Sequence, residues 1–207
     1  MRAAMKNGLP ILSFATAAQF EDWLRDQPAD SRGLWLRLAR KGAGFVSIGK
    51  AEAIDAALCH GWIDGQLDKY DETSWLIRFT PRRRTSKWSE VNRERALQLI
   101  EEGRMQPGGL AEIERARKDG RWDVAYAPQS RAQVPPDLQA ALDANPKAAA
   151  FFETLKGANR YAILYRVQTA KRAETRAERI DRFVGMCARH ETLHPPRKPK
   201  RAPRTTR

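Results

Sequence analysis

The run from Cys59 to Gly65, CHGWIDG, places a thiol, an imidazole, an indole and a carboxylate next to one another along the chain. A thiolate nucleophile needs its base across the fold, because side chains that are adjacent in sequence rarely point at one another. Cys59 is therefore interpreted as a small buried residue rather than as the catalytic partner of His60. Two roles stay open for Asp64: it can hold Arg78 of a following strand in an ion pair, or it can face a ligand.

A basic cluster runs directly into a predicted helix start that Ser89 caps. Guanidinium groups such as those of Arg82 and Arg83, together with the backbone amides of the first helical turn, form a natural site for phosphate or carboxylate. Trp88 adds a flat face on which a ring can stack. The alternative interpretation is a solvated basic loop whose Trp88 belongs to the hydrophobic core.

The pentapeptide HETLH, from His190 to His194, fits the HExxH pattern of zinc proteases, with Glu191 as the general base. That motif requires both histidines on one face of a helix, whereas Pro195 disfavours helical geometry at His194. The residues beyond it offer no Glu, Asp or His as a third ligand. The sequence therefore predicts a fraying helix end here and no metal site.

The positive charge of this 207-residue chain is unevenly distributed. The net charge is +13, of which the Pro-rich tail at 195–207 carries +6 and the segment 81–95 carries +4. Only +3 remains for the rest of the chain, so the folded body is nearly balanced. Such a tail attracts any polyanion without sequence preference, and it is also typical of a solubilising disordered terminus.

Composition excludes several classes of protein. The length permits one compact core, and 42% hydrophobic residues with six tryptophans argue against wholesale disorder. No apolar stretch is long enough for a membrane-spanning helix, and the apolar run 9–18 is interrupted by Pro10 and Ser13, against a secretion signal. Two cysteines, Cys59 and Cys187, make neither a disulfide framework nor a metal set, which favours the reducing cytoplasm.

Hydrophobic periodicity predicts an α+β fold, in which a small antiparallel sheet with packed helices precedes an all-helical module. Strands are expected at 34–40, 62–67 and 74–80, and helices from residue 16 and at 47–60, 89–102, 110–119, 137–144, 147–155 and 159–190. The predicted domains are an α+β body at 10–133, a helical C-terminal module at 134–190 and a disordered basic tail at 191–207.

Five segments occur in an order that resembles the YdeI/OmpD-associated family. They are GWIDG at 61–65, IRFTPRR at 77–83, SKWSEVN at 86–92, EEGRMQPGG at 101–109 and AKRAETRAERI at 170–180. The resemblance covers about residues 10–187. It implies a link to bacteriocin protection and outer-membrane-protein association without an established reaction, and a grouping with frataxin-like and YjbR-like proteins. Iron chaperoning, suggested for some of that grouping, is not favoured, because the acidic residues of this chain are dispersed along helix faces.

The leading hypothesis is a non-enzymatic, cytoplasmic stress- or bacteriocin-protection protein that binds a small anionic ligand or a protein partner. Its candidate ligand-binding residues are Trp62, Asp64, Arg78, Arg82, Arg83, Trp88, Ser89 and Asn92. No metal or organic cofactor is implied. The first alternative is nucleic-acid binding through the region 82–95 and the tail, and the second is a small enzyme that uses His60 and Asp64 as acid and base.

Overall fold

The computed structural model describes residues 4–28 and 30–194. The chain divides into two compact units, Met1–Ala125 and Tyr126–Arg207, called here the N-terminal and the C-terminal unit. Of the tail predicted at 191–207, the residues from 195 onward lie outside the described residues. In the part that is described, no helix has both the length and the apolar character needed to cross a bilayer.

The N-terminal unit is built from strands and helices in its described residues. The strands are β1 (Met5–Lys6), β2 (Leu9–Leu12), β3 (Leu34–Ala39), β4 (Trp62–Lys69) and β5 (Ser74–Pro81). The helices are α1 (Ala17–Arg25), α2 (Lys50–Cys59), α3 (Glu90–Glu101) and α4 (Pro107–Lys118). Together with the helical second half of the chain, these elements confirm the predicted α+β class.

The sheet has the strand order β1-β2-β3-β5-β4. β3 pairs antiparallel with β5, and β5 pairs antiparallel with β4. β2 instead runs parallel to β3, which makes the sheet mixed where the pattern predicted antiparallel pairing alone. β1 and β2 form a hairpin whose turn residues Asn7 and Gly8 have φ angles of 50° and 73°, as a type I′ turn requires.

Alternation along β3 places two apolar layers on the sheet. Leu34, Leu36 and Leu38 are buried in one cluster with residues of α1 and α2. Trp35, which points to the opposite face, is buried with Leu76 of β5. The helices α1 and α2 therefore cover one face of the sheet, and the second face has a smaller apolar cluster of its own.

A separate cluster joins α2, α3 and α4 around Trp88, Leu99 and Ile113. α3 begins at the predicted cap, where Ser89 Oγ accepts a hydrogen bond from the backbone N of Asn92 at 3.1 Å. α4 begins at Pro107, three residues before the predicted start, because proline suits the first helical position.

The N-cap of α2 is Gly49 rather than the predicted Ser47. The Ser47 hydroxyl accepts a hydrogen bond from the backbone N of Ala39 at 2.8 Å, so it ties the loop to the end of β3. Glu52 supplies the reciprocal part of the cap by accepting from the backbone N of Gly49 at 2.7 Å.

The C-terminal unit is helical in its described residues, with α5 (Pro136–Asp143), α6 (Pro146–Thr154), α7 (Gly157–Gln168) and α8 (Ala173–Ala188). The prediction of one continuous helix over 159–190 is wrong, because the chain breaks between α7 and α8. The Thr169 hydroxyl donates to the Tyr165 carbonyl at 2.7 Å at the end of α7. The break lets Val167 of α7 and Phe183 of α8 pack in one core, which a straight helix does not allow.

Candidate anion-binding cavity

Three elements of the N-terminal unit converge on Gly61. Its φ of +77° is a left-handed conformation that ends α2, and its carbonyl accepts a hydrogen bond from the backbone N of Arg82 at 2.9 Å. A Cβ at this position would lie 2.6 Å from the carbonyl oxygen of Gly108 at the start of α4. The backbone N of Gln106 also donates to the Cys59 carbonyl at 3.1 Å. Glycine at 61 thus lets the end of α2, the end of β5 and the start of α4 meet at backbone distance.

A cavity of about 740 Å³ opens at this junction. Its wall includes His60 after α2, Trp62 at the start of β4, and Arg82, which directly follows β5. Glu112 and Arg115 of α4 also belong to the polar part of the wall. The cavity therefore combines an indole, an imidazole and charges of both signs.

Arg82 is held in the wall by an aromatic base. The residue is 4% exposed, and its guanidinium carbon lies 3.6 Å from the centroid of the Trp88 ring. Its Nη1 donates to the Lys87 carbonyl at 3.2 Å. The stack on the indole ring and the hydrogen bond to Lys87 fix the plane of the guanidinium in the cavity wall.

Glu112 lies beside the cavity arginines and is 6% exposed. Its Oε1 accepts a hydrogen bond from Nη2 of Arg115. Burial raises the pKa of the Glu112 carboxyl, while the positive charges of Arg115, Arg121 and Arg82 act in the opposite direction. The cations around Glu112 thus oppose the effect of burial on its carboxyl group.

His60 is the titratable imidazole of the wall. Burial lowers its pKa from 6.5, so the neutral form predominates at neutral pH and one ring nitrogen can accept a hydrogen bond. Cys59, next to it, is buried, and burial raises its thiol pKa to about 11. The thiolate is therefore scarce near neutral pH, in agreement with the interpretation of Cys59 as a small buried residue.

Of the predicted ligand-binding residues, Trp62 and Arg82 are in the cavity wall. Trp88 lies behind Arg82, where it is 2% exposed and forms part of the hydrophobic cluster. Ser89 and Asn92 form the cap of α3, which occupies the Ser89 hydroxyl. Among the described residues, neither of these two lines the cavity.

The remaining predicted residues lie elsewhere in the N-terminal unit. Arg83 is exposed on the loop after β5. Asp64 of β4 lies opposite Phe79 of β5. Arg78 of β5 lies opposite Trp35 of β3. No ion pair joins Asp64 to Arg78 within the described part of the chain. The two strand residues are thus not brought to the cavity wall.

Sequence reasoning missed Glu112 and Arg115, although they lie within six residues of the end of the segment at 101–109 that suggested the family. The local signal is the pair Gly108–Gly109 directly after Pro107. A Cβ at Gly109 would lie 2.3 Å from the Cys59 carbonyl, so paired glycines at this helix start mark a close approach of two backbones. That approach carries the next turn of α4 to the cavity.

The basic segment 82–95 is partly used within the fold. Arg95 binds Asp55 through two hydrogen bonds of 2.8 and 2.6 Å, and Arg93 donates to the Trp122 carbonyl at 3.0 Å. Arg83 and Arg84 are exposed. The surface that nucleic-acid binding would use is therefore smaller than the sequence count of arginines indicates.

The HETLH segment lies beyond α8, which ends at Ala188. His190 has a φ of 58° and stacks on Phe151 with ring centroids 4.8 Å apart. The backbone N of His194 donates to Oδ1 of Asn159 at 2.8 Å. The two histidines consequently do not share a helix face, which is the geometry that the zinc-protease motif requires.

Two family models match different parts of the chain. The model described as bacteriocin-protection, YdeI or OmpD-associated matches residues 131–190, and it confirms the inferred resemblance for that segment. A model of a domain of unknown function, DUF8412, matches residues 12–112, which contain four of the five segments that suggested the resemblance. No curated protein and no solved structure matches the chain.

Proposed function

We propose that this chain is a protective binding protein of the bacteriocin-protection, YdeI or OmpD-associated type. The premise is that residues 131–190 match the model of that family. Its N-terminal unit binds a small organic anion in the cavity at Gly61. Binding of the anion, rather than turnover, is its role in protection.

The buried guanidinium of Arg82 in the cavity wall is the observation that carries this proposal. Burying a cation is costly unless its surroundings compensate for the lost hydration. Trp88 and the Lys87 carbonyl hold the guanidinium in one orientation. An oriented, desolvated arginine binds carboxylate or phosphate oxygens more strongly than an exposed one does.

Two further arginines add positive charge to the cavity wall. Arg115 of α4 and Arg25 at the end of α1 both line the cavity, whereas Glu112 supplies the carboxylate that opposes them. Arg25 also binds Asp22 at 2.8 Å on the surface, which reduces its contribution. The remaining potential still favours a negatively charged ligand.

The size and lining of the cavity favour an organic anion over a bare ion. Small-molecule sites in proteins typically have volumes of about 300 to 1,000 Å³ and combine apolar walls with a few polar groups. The volume here is about 740 Å³, and Leu24 and Trp62 add apolar surface to the polar residues. We therefore expect a ligand that has an acid group and a carbon skeleton.

A binding screen with two matched arginine variants tests the site. The full chain is titrated with small phosphate esters and carboxylates in a thermal-shift assay and by calorimetry, because a ligand that binds the native state raises the melting temperature. Arg82→Gln is expected to abolish the response. Arg83→Gln is the control, since Arg83 is exposed on the same loop and outside the wall.

An equal loss in both variants would indicate a general charge effect and contradict the proposed site. A ligand-induced rise in melting temperature that persists in Arg82→Gln and decreases steeply with salt concentration would instead favour the nucleic-acid alternative. The protective role is tested separately, by survival of bacteria that express the chain under challenge with a bacteriocin panel. Loss of protection in Arg82→Gln, but not in Arg83→Gln, is the expected result.

A further inference from the structure

The carboxylate of Glu112 is incompletely hydrogen-bonded, although the residue is more than nine-tenths buried. Oε1 accepts from Arg115, while no donor within the described residues reaches Oε2. A buried carboxylate oxygen without a donor is costly, and such atoms in native proteins call for an explanation. A hydrogen-bond donor supplied by a ligand would explain the unpartnered Oε2 atom of Glu112.

The wall is shaped around this side chain. A Cβ at Gly61 would lie 3.0 Å from Cγ of Glu112, so the glycine leaves the room that the glutamate occupies beside the cavity. The terminal torsion of a glutamate is soft and roughly two-fold. The carboxylate can therefore turn toward a ligand without any movement of α4.

We infer that the ligand of this cavity is a small zwitterion, whose acid group binds Arg82 and whose ammonium group binds Glu112. This inference rests on the proposed function of the cavity as an anion site. It adds that the wall recognises both ends of the ligand, because it presents a buried guanidinium at Arg82 and, at Glu112, a buried carboxylate whose Oε2 has no donor among the described residues. Amino acids and aminoalkyl phosphates have the required chemistry.

An ammonium group fits Glu112 better than a hydroxyl group does. Both groups make a charge-assisted hydrogen bond to a carboxylate, but only the ammonium also brings a positive charge to it. An ammonium also neutralises the carboxylate that would otherwise repel the acid group of the ligand. The charge pattern of the wall thus favours molecules that carry both signs over simple anions.

Matched probes test this inference on the full chain. Aminoethyl phosphate and ethyl phosphate share the phosphate and differ in the ammonium group, and 4-aminobutyrate and butyrate repeat the comparison with a carboxylate. Calorimetry at low salt is expected to show about tenfold or tighter binding of the amino member of each pair. Glu112→Gln is expected to reduce this preference to about threefold or less, whereas Glu114→Gln, on the exposed side of α4, retains it.

The outcomes separate this inference from the proposed function. Equal binding of both members of a pair by the natural chain overturns the zwitterion and leaves the anion site intact. Binding of neither member overturns both. The comparison within the natural chain remains decisive if Glu112→Gln fails to fold, and Glu112→Asp, which keeps the charge on a shorter side chain, is then expected to weaken the preference.

Discussion

The guanidinium carbon of Arg82 lies 3.6 Å from the centroid of the Trp88 ring, and both side chains are almost completely buried. Trp88 in turn contacts Trp122 edge to face, with centroids 4.8 Å apart. The cavity cation therefore rests on an aromatic pair that belongs to the cluster of α2, α3 and α4. Because the face of an indole ring attracts a cation, the same contact supports both the fold and the orientation of the cavity wall.

Replacement of Arg82 by lysine is expected to lower the free energy of unfolding by about 1 to 3 kcal/mol. A lysine cannot spread a planar cation over Trp88 while it donates to the Lys87 carbonyl. Guanidinium chloride unfolding followed by tryptophan fluorescence measures the change. Arg83→Lys is the control and is expected to stay within about 0.5 kcal/mol of the natural chain, so equal losses would argue against a special role of the stacked position.

Two glycines with similar backbone angles give a matched test of the junction. Gly61 has a φ of +77° and crowded surroundings, whereas Gly42 has a φ of +81° and no atom within 4 Å of the point where a Cβ would lie. Gly42→Ala should cost about 1 to 2 kcal/mol, from the left-handed conformation alone. Gly61→Ala should cost at least about 1 kcal/mol more, because its Cβ would overlap the Gly108 carbonyl.

Equilibrium unfolding of both glycine variants measures this difference. Equal costs would show that α2 and α4 separate easily at their ends, and the cavity wall would then depend less on the glycine than the geometry indicates. A loss of ligand response in Gly61→Ala, at a temperature where the variant is still folded, would place the junction and the binding site in one structural unit.

Local patterns are sufficient to predict part of the fold and of the site. The apolar alternation of Leu34, Leu36 and Leu38 predicts β3, and the Ser89 cap predicts the start of α3. Trp62 and Arg82 belong to segments that flank a turn and a strand end, and both lie in the cavity wall. These features depend on residues that are close in sequence, so hydrophobic periodicity and helix-capping residues are sufficient to predict them.

The missed features depend on contacts between distant segments. Glu112 reaches the wall because Gly61 and Gly108 allow α4 to approach α2, and no period in α4 encodes that approach. The Asn7–Gly8 turn is a local hairpin signal, but the parallel pairing of β2 with β3 does not follow from it. A single helical stripe over 159–190 likewise hides the break that folds α7 against α8.

The raised pKa of Glu112 predicts a distinct pH dependence of stability. A carboxyl that binds its proton more tightly in the folded state contributes fully below its ordinary pKa of 4.5, and this contribution is lost as pH rises through the folded value. The difference in unfolding free energy between the natural chain and Glu112→Gln should therefore shift against the natural chain as pH increases from about 4 to about 7. The natural chain alone also reflects other carboxyls, so the difference is the quantity to measure.

Glu114→Gln provides the reference for that experiment, because Glu114 is exposed two residues further along α4. The same measurement on Glu114→Gln accounts for the removal of one negative charge from α4. A pH profile of Glu112→Gln that parallels the natural chain would mean that the cavity arginines fully offset the burial of the carboxylate.

Both cysteines should resist modification in the native protein. Cys59 and Cys187 are each 1% exposed, and burial raises both thiol pKa values, that of Cys59 to about 11. Ellman's reagent at about pH 7.5 should find no fast thiol in the native chain and both thiols after unfolding in guanidinium chloride, because access and thiolate formation both require opening of the core. Cys187→Ala isolates Cys59, whose reaction should then follow the opening rate and stay slow even at about pH 9. A fast reaction of that single thiol would show that Cys59 is accessible beside His60, and it would restore the thiol as a candidate nucleophile at the cavity.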